Sequence, residues 1–359
     1  MKFSRARFKR NVFCKELARG FFPALLLLAL AQSTFAQLAA SSAPPPSTVT
    51  IVLPPHVVAG QPATLAVLAG GKLAPGVDVD LGNDLRVRTD PVGRAYFTVP
   101  SGTDYLIAKA QGASAATLVD NTSPSSAAGT LDVPAQVSIA DIFPICGQGF
   151  QGDAESNRVT LGGEPALVLA ASPECFVVLA SNQSMPGLVA VSVKTGNRTW
   201  AGATDLVSLR YESAQPPLAA QKKSRLRVFA EGTREPVRLS LHNETPGVLQ
   251  FTRGDDQATR TSGGEINVAE FEVVAIRSGN YSFRAQIVES PRAADAVRFL
   301  NAAEPLASQD LGKQLRKLSG RLKHHPRDAE KLAPQLDAIL KVVVASNLRT
   351  LLVAARNCL

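Results

Sequence analysis

Ile142-Phe143-Pro144-Ile145-Cys146-Gly147-Gln148-Gly149-Phe150-Gln151-Gly152 leads into Arg158-Val159-Thr160-Leu161-Gly162-Gly163-Glu164-Pro165-Ala166, and this stretch decides the fold. After it come Phe176-Val177-Val178-Leu179 and Pro186-Gly187-Leu188-Val189-Ala190-Val191-Ser192-Val193. The apolar runs are short, and glycines, which tolerate positive φ in tight turns, separate them. Val189, Val191 and Val193 recur with a period of two, the pattern of a strand that buries one face. Phe150 supplies a bulky apolar plug. Strands, tight turns and an alternating inner face describe a two-layer β-sandwich.

The spacings G-x-G-F, V-x-x-G-G-x-x-A and G-x-x-x-V-x-V resemble those of the IPT/TIG Ig-like domain, over most of residues 131–212. The departure lies at the start, where the usual first hairpin is compressed or displaced into Leu131–Ser138. The resemblance implies an Ig-like sandwich. In exported bacterial proteins such domains are associated with adhesion, surface assembly or glycan-related roles.

Working outward, residues 48–120 offer strand candidates at Thr48–Leu53, Ala63–Leu68, Val77–Leu81, Ala95–Val99 and Tyr105–Lys109, with Gly and Pro turns between them. Within them, Thr89-Asp90-Pro91-Val92-Gly93-Arg94-Ala95-Tyr96-Phe97-Thr98-Val99-Pro100-Ser101-Gly102 resembles the signature of carboxypeptidase-regulatory-like and bacterial Ig-like modules, which are accessory β-domains and not peptidases. On the other side, residues 222–290 alternate cleanly in Val237–His242 and Tyr281–Ile287, predicting a third sandwich of half-buried antiparallel strands. Linkers are expected at 121–129 and around Ser213–Leu218, both rich in Ser, Ala and Pro.

From residue 292 to 359 the period changes. Leu311, Leu315, Leu318 and Leu322 share one helical face, and Leu332, Leu336, Ile339, Leu340, Val343, Leu351 and Leu352 form a longer second stripe. His325-Pro326-Arg327-Asp328 separates the two helices, with Asp328 as the expected cap, and a shorter helix precedes them. This tail is expected to pack on the third sandwich or to self-associate through its leucines. The fold class expected is therefore mainly β: tandem Ig-like β-sandwich domains with a C-terminal α-helical segment.

Residues 1–36 read as a signal peptide: a basic start, an apolar core over Phe21–Ala31, and Thr34-Phe35-Ala36 for cleavage near Ala36. An uncleaved anchor is the competing reading. Residues 37–47, with Pro44-Pro45-Pro46 and neighbours, form a Pro/Ser spacer. Seven Lys and Arg against Glu16 alone give the leader six of the chain's +8 formal charges. The remainder is close to neutral, so nucleic acid is not an expected partner. No later segment is apolar enough to span a membrane, and the mature chain is expected to be extracytoplasmic: secreted, periplasmic or at the cell surface.

Export makes disulfides stable. Cys14 leaves with the leader; Cys146 and Cys175 lie in one predicted domain and are expected to pair, with a metal site as the poorer alternative. Cys358 is left over, as a thiol or an intermolecular bridge.

Signals of chemistry are weak. His56, beside Pro54-Pro55, His242, on the polar face of a strand, and His324-His325, at a helix end, read as solvated. Phosphate-loop, dinucleotide and nucleophile-elbow motifs are absent, and Gly147-Gln148-Gly149 reads as a sandwich turn. Asp78, Asp80 and Asp84 lack the spacing of a calcium loop, and Asp78 and Asp80 fit the solvent face of a strand, with calcium between Ig-like domains as the poorer alternative. Asp255 and Asp256, with Glu265, are the candidates for an acid pair in a secreted hydrolase; Arg253-Gly254-Asp255 and the sequons at Asn121, Asn182, Asn197 and Asn280 are chance-level signals. Trp200, the only tryptophan, is expected to pack at a domain junction; exposed beside other rings, it would instead serve sugar stacking. Lys313, Arg316, Lys317, Arg321 and Lys323 read as a solvated helix face, with acidic polysaccharide or lipid headgroups as the sharper alternative. The expected function is non-catalytic: a binding or structural protein presenting Ig-like modules at the cell envelope, with protein or envelope glycan as partner and no catalytic residue, cofactor or metal. An accessory polysaccharide-binding protein is the alternative.

Overall fold

The computed structural model describes residues 49–121, 130–212, 223–252, 257–277, 281–288 and 291–359. The leader, the Pro/Ser spacer, most of both linkers, Arg253-Gly254-Asp255-Asp256 and Asn280 lie outside the described residues.

The first sandwich contains β1 (Val49–Val52), β2 (His56–Val58), β3 (Pro62–Ala69), β4 (Lys72–Leu73), β5 (Asp78–Asp80), β6 (Arg86–Arg88), β7 (Arg94–Thr98), β8 (Tyr105–Ala110) and β9 (Ala113–Asp120). β1, β4 and β7 flank β3 in one layer, and the other layer runs β2-β9-β8-β5-β6. Val57, Leu65, Val67, Val79, Phe97 and Leu106 fill the space between. The expected strand positions hold, and Asp90–Gly93 forms a tight turn that carries the chain from β6 in one layer to β7 in the other, with Asp90 Oδ1 accepting from the Val92 and Arg94 amides. Asp78 and Asp80 face solvent either side of buried Val79, as their alternation implied.

The second sandwich holds β10 (Gln136–Ser138), β11 (Ile142–Cys146), β12 (Asn157–Leu161), β13 (Glu164–Ala171), β14 (Cys175–Leu179), β15 (Gly187–Thr195) and β16 (Arg198–Glu212). Phe150 packs against Phe176 and Trp200 in its core, with centroids 4.1 and 5.0 Å away. The compressed first hairpin is a single bridge, Asp132 to Cys146, followed by β10 running parallel to β16. Cys146 and Cys175 face each other on β11 and β14 and form a disulfide.

The third sandwich comprises β17 (Lys223–Glu231), β18 (Arg238–Asn243), β19 (Leu249–Phe251), β20 (Gln257–Thr261), β21 (Val268–Ala275) and β22 (Phe283–Ile287). Its layers are β17-β21-β19, joined to the end of β16, and β20-β18-β22. Leu239, Leu241, Leu249 and Phe271 are fully buried between them.

The sandwiches are joined by backbone hydrogen bonds. β16 pairs with β15 over Arg198–Leu206 and then with β17 over Ser208–Glu212, so one strand belongs to both. Ala171 of β13 registers with Thr64 of β3, and Thr64 Oγ1 donates to the Gly152 carbonyl at 2.6 Å. The buried Arg94 guanidinium donates to the Val168 carbonyl at 2.7 Å. Val52, Ala66, Leu169, Ala170 and Val177 close that seam.

The helical segment differs from expectation in three ways. Four α-helices are present among the described residues: α1 (Ala293–Ala303), α2 (Gln309–His324), α3 (Ala329–Val342) and α4 (Ser346–Asn357). The long second stripe breaks because Val343 turns extended, and Arg349 Nη1 donates to the Leu340 and Val343 carbonyls at the end of α3. Asp328 precedes α3 without a side-chain cap, since its carboxylate pairs with Arg321 and Lys331. The leucine stripes are buried in one core that includes Leu118 and packs on Tyr105, Ile107 and Ala116 of the first sandwich. The helices thus cover β8 and β9 of the first sandwich rather than resting on the third, and their leucine face is used inside the molecule. Arg238 pairs with Glu330, the one ion pair between the third sandwich and the helices among the described residues. Cys358 is buried in the helical core.

Two stability outcomes follow. A methyl group on Gly152 collides with the Pro62 carbonyl, so Gly152→Ala should destabilise the chain by about 1–3 kcal/mol in urea unfolding. The disulfide spans 29 residues, and Cys146→Ser with Cys175→Ser should cost about 3–4 kcal/mol.

Candidate functional site

Pro54 and Pro55 deliver His56 to the start of β2, which lies parallel to β9 with His56 opposite Leu118 and Val58 opposite Asp120. Ser172 Oγ, from the turn between β13 and β14, donates to the His56 carbonyl at 2.7 Å. The same turn carries Glu174, next to the disulfide. From the other side, the first turns of α1 bring Asp295 and Arg298, three residues apart and hence on one helical face.

These five side chains meet. His56 Nδ1 lies 2.9 Å from Asp120 Oδ2 and Nε2 lies 3.2 Å from Asp295 Oδ2. Arg298 donates from Nη1 to Asp120 Oδ1 at 2.7 Å and from Nη2 to the Val119 carbonyl at 2.9 Å. Arg292 stands 3.6 Å from Asp295. Glu174 completes the group: its carboxylate, that of Asp120 and a ring nitrogen of His56 all lie within 4.8 Å of one another. An open cleft of about 960 Å³ runs past His56, Glu174, Asp295 and Arg298, with Arg292 and Lys323 also on its walls.

The electrostatics follow from this geometry. Burial pushes the His56 pKa down, but hydrogen bonds to Asp120 and Asp295 and their charges outweigh it and raise the pKa to about 9. The hydrogen bond from His56, helped by its charge and by Arg298, overcomes burial and holds Asp120 at about 2. For Asp295, burial opposes ionisation, yet His56, Arg292 and Arg298 bring it below the usual carboxylate range. Glu174 goes the other way. Burial first, then the charge and hydrogen bond of Asp120, raise it to about 7, against the pull of His56 and Arg298.

His56 is therefore an imidazolium at neutral pH, with both N–H groups engaged. Such a ring is not a general base. Ser172, the nearby hydroxyl, binds the His56 backbone rather than its ring. The arrangement works as an electrostatic clamp between the first sandwich and α1, with Glu174 as its titratable edge.

Sequence reasoning treated His56 as solvated, and the structure corrects that: its side chain is 22% exposed and doubly bonded. His242 is half-buried on β18, where burial, Arg284 and Arg356 lower its pKa. His324 ends α2 and His325 follows it, as expected. Trp200 is buried at 6% exposure inside the second sandwich, so neither a junction role nor sugar stacking fits it. Glu265 sits exposed in the turn before β21, apart from the cluster, and Asp255 and Asp256 lie outside the described residues. Lys313, Arg316, Lys317, Arg321 and Lys323 are exposed opposite the leucines, with Arg316 paired to Glu304. No helix among the described residues is long and apolar enough to cross a membrane.

Residues 133–211 match the IPT/TIG domain family. No curated protein matches the chain. Among solved structures, SGBP-B of the Bacteroides ovatus mixed-linkage glucan utilization locus, in complex with a mixed-linkage heptasaccharide, is similar at 13% identity, over 64% of this chain and 70% of that one, with a TM-score of 0.27. A tandem from titin is 8% identical over 68% of this chain and 97% of its own, at a TM-score of 0.20. The fibronectin(III)-like modules of Clostridium thermocellum CbhA are 15% identical over 45% and 95%, at 0.15. At these scores the likenesses carry neither ligand nor activity to this chain.

The clamp predicts a pH dependence. His56 gains protons on folding, so its stabilisation is complete below about pH 6.5 and is lost as pH rises through about 9. Thermal unfolding between pH 6.5 and 9.5 should show a loss of up to roughly 3 kcal/mol, largely absent in His56→Gln. Glu174 also holds its proton more tightly when folded, so its ionisation erodes stability from pH 4.5 through about 7. Glu174→Gln should flatten that limb alone.

Proposed function

We propose that this chain is a non-catalytic extracytoplasmic protein that presents Ig-like modules to a protein partner at the cell envelope, in adhesion or surface assembly. The observation that supports it is the use made of the ionisable groups that converge: His56, Asp120, Asp295 and Arg298 bind one another, and Glu174, the member of the cluster left to titrate at the cleft, has no nucleophile paired with it, since Ser172 Oγ is spent on the His56 carbonyl. What the sandwiches then offer is surface, through loops held in place by a rigid framework. The IPT/TIG match over residues 133–211 agrees with a binding role, and the disulfide agrees with an oxidising compartment. The leader at residues 1–36, read as a signal peptide cleaved near Ala36, supplies the route of export.

Cell fractionation with mass spectrometry of the N-terminus, cross-linking to envelope proteins and a glycan array test this reading. An extracytoplasmic chain lacking its leader, cross-linked saturably to an envelope protein and competed by purified chain, is the expected result. Glycan capture without a protein partner would move the assignment to a polysaccharide-binding role. Uncleaved chain in the cytosol, or hydrolysis of a substrate panel that Glu174→Gln abolishes, would overturn the proposal.

A further inference from the structure

The clamp pairs Asp120 and Asp295 with His56 and the two arginines, but it leaves Glu174 without an ion-pair partner among the described residues, beside the same imidazole. A ring nitrogen of His56, a carboxylate oxygen of Asp120 and one of Glu174 are three ligand atoms from three separate elements, all within 4.8 Å of one another, and Nδ1 is the nitrogen that faces Asp120, at 2.9 Å from Oδ2. Ligands at ~2.0–2.2 Å from a tetrahedral zinc stand ~3.3–3.6 Å apart, so small side-chain rotations bring this set into range. We propose that His56, Asp120 and Glu174 form a binding site for a zinc-class divalent cation at the meeting of the first and second sandwiches.

Three further features support it. The second ring nitrogen, Nε2, already faces Asp295 at 3.2 Å, the outer carboxylate contact that orients a metal-ligating histidine. Arg298 holds Asp120 through Oδ1, which leaves Oδ2, the atom 2.9 Å from Nδ1, to the ion. The cleft lined by His56 and Glu174 gives an entry path and room for water as a fourth ligand. The ligand set also selects the metal: an imidazole nitrogen with two carboxylates suits zinc, whereas calcium requires six to eight oxygens and magnesium keeps its waters. On binding, the Nδ1–H bond breaks, and so does the O–H bond of Glu174 where that carboxyl is protonated; these protons pass to solvent and the freed lone pairs enter the metal, while the Nε2–H stays on the ring, donated to Asp295. The ion would then add to the Ser172–His56 bond a second tie between the β13–β14 turn and β2 and β9.

Calorimetric titration of the chelator-treated full chain with zinc chloride, then with calcium and magnesium chlorides, tests the proposal. One equivalent of zinc should bind, at least about tenfold more weakly in Glu174→Gln and in Asp295→Asn. The adjacent pair His324 and His325 is the competing surface site, so the double change His324→Ala and His325→Ala should leave that equivalent in place. Cobalt(II) in this double variant, which keeps the cluster intact, should give the visible absorption of a four- or five-coordinate ion, displaced by zinc. Absence of saturable zinc uptake, equal binding of calcium, or zinc lost with His324 and His325 but retained in Glu174→Gln would overturn it. None of these readouts depends on finding an envelope partner.

Discussion

The backbone of β16 hydrogen-bonds to the second sandwich along its first half and to the third along its second, and that sharing constrains everything around it. A strand of 15 residues is longer than one sandwich layer needs. Because its peptide groups must find partners when buried, the next module has to continue the sheet rather than hang from a loose tether. The single Ala171–Thr64 register extends the same hydrogen-bonded path into the first sandwich. Modules of this size bury little surface alone, and shared seams supply burial that isolated sandwiches lack.

Fixing the sandwiches in this way also determines where the helices go. Their leucine stripes need an apolar floor, and the outer faces of β8 and β9, with Tyr105, Ile107 and Ala116, provide one. Docking α1 there carries Asp295 and Arg298 onto the end of β9, where Asp120 and His56 already stand. Charges brought this close while partly buried are tolerable only when paired, which is why the imidazole is held as a cation between two carboxylates. Glu174 is the member whose ionised form is least well compensated, and its raised pKa records that imbalance. The clamp and the proposed metal site are two uses of one geometry, separated by whether a proton or an ion occupies Nδ1.

Much of the architecture was legible locally. Val189, Val191 and Val193, the Asp90–Gly93 turn and the alternation of Val237–His242 each announce a strand or its end through their own neighbours, and the disulfide partners lie in one module. Errors arose where a local reading met a distant partner. The helical stripe from Leu332 to Leu352 looked continuous because periodicity does not see Arg349 reaching the carbonyls at the end of α3. Trp200 looked like a strand-end ring because nothing near it in sequence shows Phe150 filling the space beneath it.

His56 marks the boundary most clearly. Its sequence neighbours are prolines and valines, while its bonding partners are 64 and 239 residues away. Residue type, period and turn chemistry act over a few positions, so the sequence alone determined a mainly β chain of sandwich modules followed by amphipathic helices. Which module the helices cover, which strand two modules share and which ionisable groups meet depend on complementary apolar faces finding each other over long chain separations. Only the tertiary structure decided these, because burial and charge pairing are properties of neighbours in space.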